Sequence, residues 1–191
     1  RQVRSYLSSR SVQQKELPPG CFATSYHPVD GRVGLTSWLV WDLSAKGLGT
    51  WQARRASAVG EPRYLRGPSL GQALGLVGNL VREDPGPVLL VEGLFKAIGL
   101  RRVVSWPALV TFGKKCSQAQ REMLMRLGRP VVLAWDRDGQ EGALELERML
   151  RGFLRVGFWT TSSYDPDHIL DRKEAETEFR ETSICWNDSE R

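Results

Sequence analysis

Two apolar runs in this chain stop abruptly at carboxylates. Val88-Leu89-Leu90-Val91 is followed by Glu92-Gly93, and Val131-Val132-Leu133-Ala134-Trp135 by Asp136-Arg137-Asp138. A run without polar alternation reads as a strand buried on both faces, the habit of central parallel strands. Residues that follow such strands leave at the carboxyl edge of the sheet, where open α/β folds place their ligands. Glu92, Asp136 and Asp138 would then share one crevice. A further pair, Asp165-Pro166-Asp167, follows the next apolar segment and fits the same edge. Unpaired carboxylates repel, so such a cluster points to a bound divalent cation. Each piece also has a plainer reading. Asp136 and Asp138 suit the start of a following helix, Asp165-Pro166-Asp167 is itself a helix-start signal, and Glu92-Gly93 alone is an ordinary turn.

Other reactive side chains are less organised. Lys114-Lys115, after Gly113, is either a phosphate-binding loop or a solvated pair. His27 and His168 stand at no ligand spacing. Cys21, Cys116 and Cys185 are widely separated, and the absence of C-x-x-C excludes a zinc ribbon or finger within these residues. They read as free, buried thiols of a reducing cytosol, which sets the expected location as cytoplasmic.

The elements that must hold these groups follow from hydrophobic period and turn signals. A short helix runs through about Ser9, and Pro18-Pro19-Gly20 stops it. Cys21 to Tyr26, Arg32 to Trp41 and Gly49 to Arg55 read as strands, the last two a hairpin turning at Asp42 to Gly47. A helix is expected between Ser69 and Val81, despite Gly71, Gly75 and Gly78. After Pro85-Gly86-Pro87 the rhythm becomes strand, helix, strand, helix. A short helix follows Gly93, Ala108 to Phe112 is a strand, and Ser117 caps a helix with Gln120, Met123, Leu124 and Leu127 inward. Gly139 leads into another, with Ala143, Leu146, Met149 and Leu150 inward and Glu147 to Arg151 as an outer pair. Phe153 to Trp159 is the fourth strand. The alternation implies a parallel sheet with right-handed crossovers. The expected organisation is a mixed lobe at 1–84, an α/β lobe at 85–171, and a charged helix and tail at 172–191.

The chain has 191 residues and a formal net charge of +5. From Arg1 to Pro130 there are 19 Lys/Arg against 8 Asp/Glu, and beyond Pro130 the balance is 8 against 14. A basic first part beside an acidic last part suits a polyanion drawn toward a metal site. No apolar run exceeds about five residues, so no membrane association is expected.

In order and spacing these motifs resemble the Toprim catalytic core of bacterial and phage DNA primases of the DnaG type. Val91-Glu92-Gly93, Asp136-x-Asp138 and Asp165-Pro166-Asp167 match the Toprim acidic motifs. Tyr6-Leu7-Ser8-Ser9-Arg10, Gly31-Arg32-Val33, Gly49 to Arg54 and Glu61-Pro62-Arg63-Tyr64-Leu65 resemble the lobe that precedes it. The resemblance implies a Toprim-type parallel sheet flanked by helices, after a smaller mixed α+β lobe. It implies synthesis of short RNA primers on a single-stranded DNA template, from ribonucleoside triphosphates, with Mg²⁺ or Mn²⁺. Asp136, Asp138 and Asp165 or Asp167 would hold the ions, and Glu92 would be a ligand or the general base. Arg32, Arg54 and Arg63 would grip triphosphate oxygens or the template backbone.

The sequence departs from that family at three points. The glutamate motif, usually E-G-x-x-D, has Lys96 at its fifth position, which either removes a metal or contacts phosphate directly. D-x-D-x-A-G becomes Asp136-Arg137-Asp138-Gly139-Gln140-Glu141. The family's zinc-binding module is not within these residues: it lies on an excised segment or a separate protein, or the protein works without it, and a replicative helicase is the other expected partner outside this chain. Two alternatives stand beside the primase: a Toprim nuclease, and a degenerate module that binds nucleic acid or a helicase.

Overall fold

A computed structural model of the chain describes residues 2–29, 31, 33–43, 49–56, 63–80, 86–135, 139–160 and 183–186. It divides into two compact units, at residues 1–73 and 74–191.

The first unit is a four-stranded antiparallel sheet with a short helix. Helix α1 (Gln2–Ser9) buries Val3 and Leu7, four residues apart on one face. Strands β1 (Cys21–Tyr26), β2 (Val33–Asp42), β3 (Trp51–Arg55) and β4 (Tyr64–Arg66) pair in chain order. Alternation along β2 sorts its side chains between faces. Trp38 and Val40 pack with Ala53, Trp51 and Leu65 on one side. Leu39 lies across from Arg54, which lies across from Tyr64, on the other. The Ser37 amide donates to Gln2 Oε1 at 3.0 Å, tying α1 to β2. The helix and hairpin are where the hydrophobic pattern placed them.

The second unit is a six-stranded mixed sheet. Its strands are β5 (Gly75–Val77), β6 (Val88–Val91), β7 (Ala108–Val110), β8 (Val131–Leu133), β9 (Val156–Thr160) and β10 (Ser183–Trp186). The order is β10-β9-β8-β6-β7-β5. The inner four strands are parallel, and β5 and β10 close the edges antiparallel. All four residues of β6 are fully buried. Removing each from water contributes about 1.5–3 kcal/mol of transfer free energy, an upper figure for a real unfolded chain. Helices α2 (Leu94–Val104), α3 (Gln118–Leu127) and α4 (Gln140–Leu150) cover the sheet. Leu124 of α3 and Ala143, Leu146 and Leu150 of α4 pack with Val88, Leu90, Val131 and Leu133 on one face.

Several expectations are corrected. In place of a helix at 69–81 there is a single 3-10 turn (Leu70–Gln72) and then β5. Ser69 is left-handed and makes no side-chain cap, and three glycines weaken any helix here. Pairing with β7 then recruits Gly75–Val77 as an edge strand, so the units divide before β5 and not at residue 84. Met149 is exposed and Glu147 is buried in its stead. The expected Glu147–Arg151 pair is present, with the guanidinium donating at 2.6 and 3.0 Å, but the Glu147 carboxylate faces inward while Arg151 stays half exposed. Phe153 lies exposed in the turn before β9. The expected helix after residue 171 falls outside the described residues, but the expected frayed end contains β10, with Arg155 stacked 4.4 Å over Trp186.

Cys21 and Cys116 are free and only half-buried. Desolvation raises the Cys21 thiol to about 12. It raises Cys116 to about 11, with Arg121 opposing. Both are neutral near pH 8, and the thiolate is the nucleophile. Alkylation mapped by peptide at these two positions should be slow at pH 8 and speed up toward pH 11. Fast labelling at pH 8 would contradict the burial.

Candidate functional site

The carboxyl edge of the parallel strands is built from three adjacent chain exits. The Thr111 amide donates to the Val91 carbonyl at 2.9 Å, and the Ala134 amide donates to the Leu90 carbonyl at 3.0 Å. Strands β7 and β8 therefore grip β6 from both sides up to its last residue, and Glu92 emerges between them. Gly93 then caps α2.

Helix α4 closes over this edge with two glycines one turn apart. A Cβ added to Gly139 would lie 2.6 Å from Glu92 Oε1 and 3.5 Å from Trp135 Cβ. A Cβ added to Gly142 would lie 2.9 Å from the Lys114 carbonyl oxygen and 3.6 Å from the Trp135 ring. The loop after β6 and the loop after β7 thus dock on one face of α4, where only hydrogen leaves room. Glu92 Oε1 is shielded from solvent at this contact. Gly139, against which the Glu92 carboxylate lies, directly follows Asp136-Arg137-Asp138 in the sequence.

The loop after β7 contains a strained residue. Phe112 is buried and left-handed, at φ 62°, a conformation costing about 1–3 kcal/mol for a bulky side chain. Polar bonds hold the corner around it. Thr111 Oγ1 lies 2.6 Å from the Gly113 carbonyl oxygen, and Gln120 Nε2 donates to the Thr111 carbonyl at 3.0 Å. Gln120 also completes the α3 cap, its Oε1 accepting from the Ser117 amide at 2.9 Å. The expected Ser117 cap is therefore present as a reciprocal capping box.

The predicted site residues separate into four groups, the fourth being Arg54 and Arg63 of the first unit. The Glu92 carboxylate and the Lys114 backbone carbonyl meet the start of α4 at Gly139 and Gly142, respectively. Lys96 sits in the first turn of α2, three residues beyond the Gly93 cap, and is only 3% exposed. Asp136, Asp138, Asp165, Asp167 and Arg32 lie outside the described residues. Among the described residues no three His, Cys, Asp or Glu side chains converge as a metal-binding group. His27 instead packs edge-on against Trp38 at 5.5 Å.

In the first unit Arg54 is held between two aromatic rings. Its guanidinium lies 5.5 Å from the Tyr6 ring and 4.9 Å from the Tyr64 ring, and Nη1 donates to the Tyr64 hydroxyl. Arg10 stacks at 5.9 Å over Tyr6. Arg63 is exposed, and its carbonyl accepts from the Arg55 amide at 3.0 Å. A guanidinium oriented by aromatic faces presents its remaining donors to an anion with little further loss of freedom.

Gly142, Thr111 and the ring partners of Arg54 join the site only in the structure. The spacing Gly139-x-x-Gly142 at a helix start was the available signal for close approach. Nothing local marked Thr111.

No family model and no curated protein matches this chain. Solved structures do match across nearly its whole length. A DnaG primase catalytic domain bound to single-stranded DNA has a TM-score of 0.61 and 17% identity, covering 96% of this chain and 72% of that one. The Escherichia coli primase catalytic core gives 0.60 and 16%, covering 96% and 74%. The RNA polymerase domain of Mycobacterium tuberculosis DnaG gives 0.60 and 16%, covering 95% and 76%. The chain has the fold of the DnaG primase catalytic core, a mixed α/β architecture. No helix among the described residues is long and apolar enough to cross a membrane.

Proposed function

We propose that this chain is the catalytic core of a DNA primase, joining ribonucleotides into short RNA on single-stranded DNA by metal-dependent nucleotidyl transfer. One observation carries the reading. In a chain with this fold, the Glu92 carboxylate is laid against Gly139, the residue that follows Asp136-Arg137-Asp138. The donor set fits a hard divalent cation, since every candidate ligand offers carboxylate oxygen. Asp136 and Asp138, with Asp165 or Asp167, would hold Mg²⁺ or Mn²⁺. When bound, it would neutralise the phosphoryl oxygens and orient the attacking hydroxyl.

The chain's own residues supply the rest. Glu92 serves at the same edge as a ligand or as acceptor for the proton of the ribose 3′-hydroxyl. Arg54, steadied by Tyr6 and Tyr64, binds phosphate oxygens of the triphosphate or the template, with Arg32 and Arg63 as further basic contacts. Lys114 stands on the loop beside Glu92 and offers an ammonium to phosphate.

A second reading has its own observation. Lys96 is a buried lysine in the first turn of a helix, where the dipole disfavours positive charge. A positive charge placed there could replace a metal ion and leave a nucleic-acid-binding module without catalysis.

The test is an incubation of mixed-sequence single-stranded DNA with labelled ribonucleotides and Mg²⁺ or Mn²⁺, beside the Asp136→Asn variant. Short RNA from the parent and none from the variant is expected. Shortened DNA without RNA would identify a nuclease. Bound DNA with neither product would favour the second reading, unless a zinc-binding module added in trans restored RNA synthesis.

A further inference from the structure

Thr111 and Gln120 are polar residues in an apolar setting. They are 3% and 1% exposed, and Gln120 shares the buried face of α3 with the core residue Leu124. Buried polar groups persist only where their bonds are made, and here the bonds form a connected path. From α3, Gln120 Nε2 reaches the Thr111 carbonyl at 3.0 Å. Thr111 then reaches the Val91 carbonyl through its amide at 2.9 Å, with its hydroxyl oxygen 3.2 Å from the same acceptor. The single hydroxyl proton goes to the nearer Gly113 carbonyl oxygen at 2.6 Å and closes the corner that holds the amide on Val91. Val91 is the residue before Glu92, and the Val91–Glu92 peptide sets where the carboxylate leaves the sheet.

We propose that Thr111 and Gln120 are positioning residues for Glu92, fixing the end of β6 so that the carboxylate lies on Gly139. The inference rests on Glu92 belonging to the metal-binding edge. Valine at 111 and leucine at 120 occupy similar volumes but leave backbone partners unsatisfied, at about 1–3 kcal/mol of stability each, so the positional role is read from metal binding by the folded variants. The left-handed Phe112 supports a positional role, because local preference opposes this corner and the Thr111 and Gln120 bonds surround it.

The test measures Mn²⁺ binding to the full chain by calorimetry, with paramagnetic resonance of free Mn²⁺ as a check and Mn²⁺ as the sole ligand. Thr111→Val and Gln120→Leu should bind about tenfold more weakly than the parent, the usual scale for groups that orient a ligand. Thr111→Ser keeps the hydroxyl and should bind like the parent. If both apolar variants bind like the parent while Glu92→Gln binds more weakly, the positioning role is overturned and the reading of Glu92 stands. If Glu92→Gln also binds like the parent, Glu92 is not a metal ligand, and the inference falls while a proton-acceptor role for Glu92 stands. Should Thr111→Val not fold, Gln120→Leu decides on the same criterion.

Discussion

Gly139→Ala is expected to lower ribonucleotide joining about a hundredfold while the fold is retained. The added Cβ would meet Glu92 Oε1 at 2.6 Å, whereas ordinary contact begins near 3.4 Å. The carboxylate must therefore move by about 0.8 Å, and misplacing a reacting group by 1 Å can cost on the order of 10²-fold. The backbone itself gives no reason for the loss. Gly139 lies at φ −103° and ψ −1°, open to any L-residue. As an N-cap, alanine is worse than glycine by only about 1 kcal/mol. Unfolding temperature and activity should thus separate, with a small change in the first and a large one in the second. Equal losses in both would mean that Gly139 serves only the helix. Gly142→Ala displaces the Lys114 carbonyl, at 2.9 Å, and should have the smaller effect on activity.

Arg54→Ala should raise KM for nucleotide, or weaken binding of single-stranded DNA, about thirtyfold with kcat little changed. A hydrogen bond to a charged group contributes about 1.5–3 kcal/mol, and 2 kcal/mol corresponds to roughly thirtyfold. Loss of binding alone appears in KM, whereas loss of transition-state contacts appears in kcat. Arg54→Lys keeps the charge but gives up the planar fork that fits between Tyr6 and Tyr64, and should recover only part of the loss. Which measurement moves distinguishes triphosphate from template as the anion. Parent-like values for both in Arg54→Ala would remove Arg54 from the binding surface.

Local chemistry made part of this site legible in the amino-acid sequence. The uninterrupted apolar runs before Glu92 and Asp136 announce parallel strands ending in carboxylate, because burial on both faces leaves no polar alternation. Ser117 with Gln120 announces a helix start, since a cap's partners lie within one turn. Long-range decisions are not legible in this way. Gly75–Val77 is a strand because β7 offers it an edge, and no local preference favours that outcome over a turn. Glu147 is inward because Arg151 folds over it, although charge alone places both outside. Lys96 is buried in defiance of lysine's ordinary preference. Thr111 looks like any residue after a strand, and its importance lies in which carbonyl it reaches.

If the edge around Glu92 joins nucleotides, it releases pyrophosphate. With single-stranded DNA, ribonucleoside triphosphates and Mg²⁺ or Mn²⁺, one pyrophosphate should appear for each nucleotide joined, and Glu92→Gln should abolish it. Release of inorganic phosphate instead, or pyrophosphate independent of DNA and unchanged in Glu92→Gln, would contradict the account.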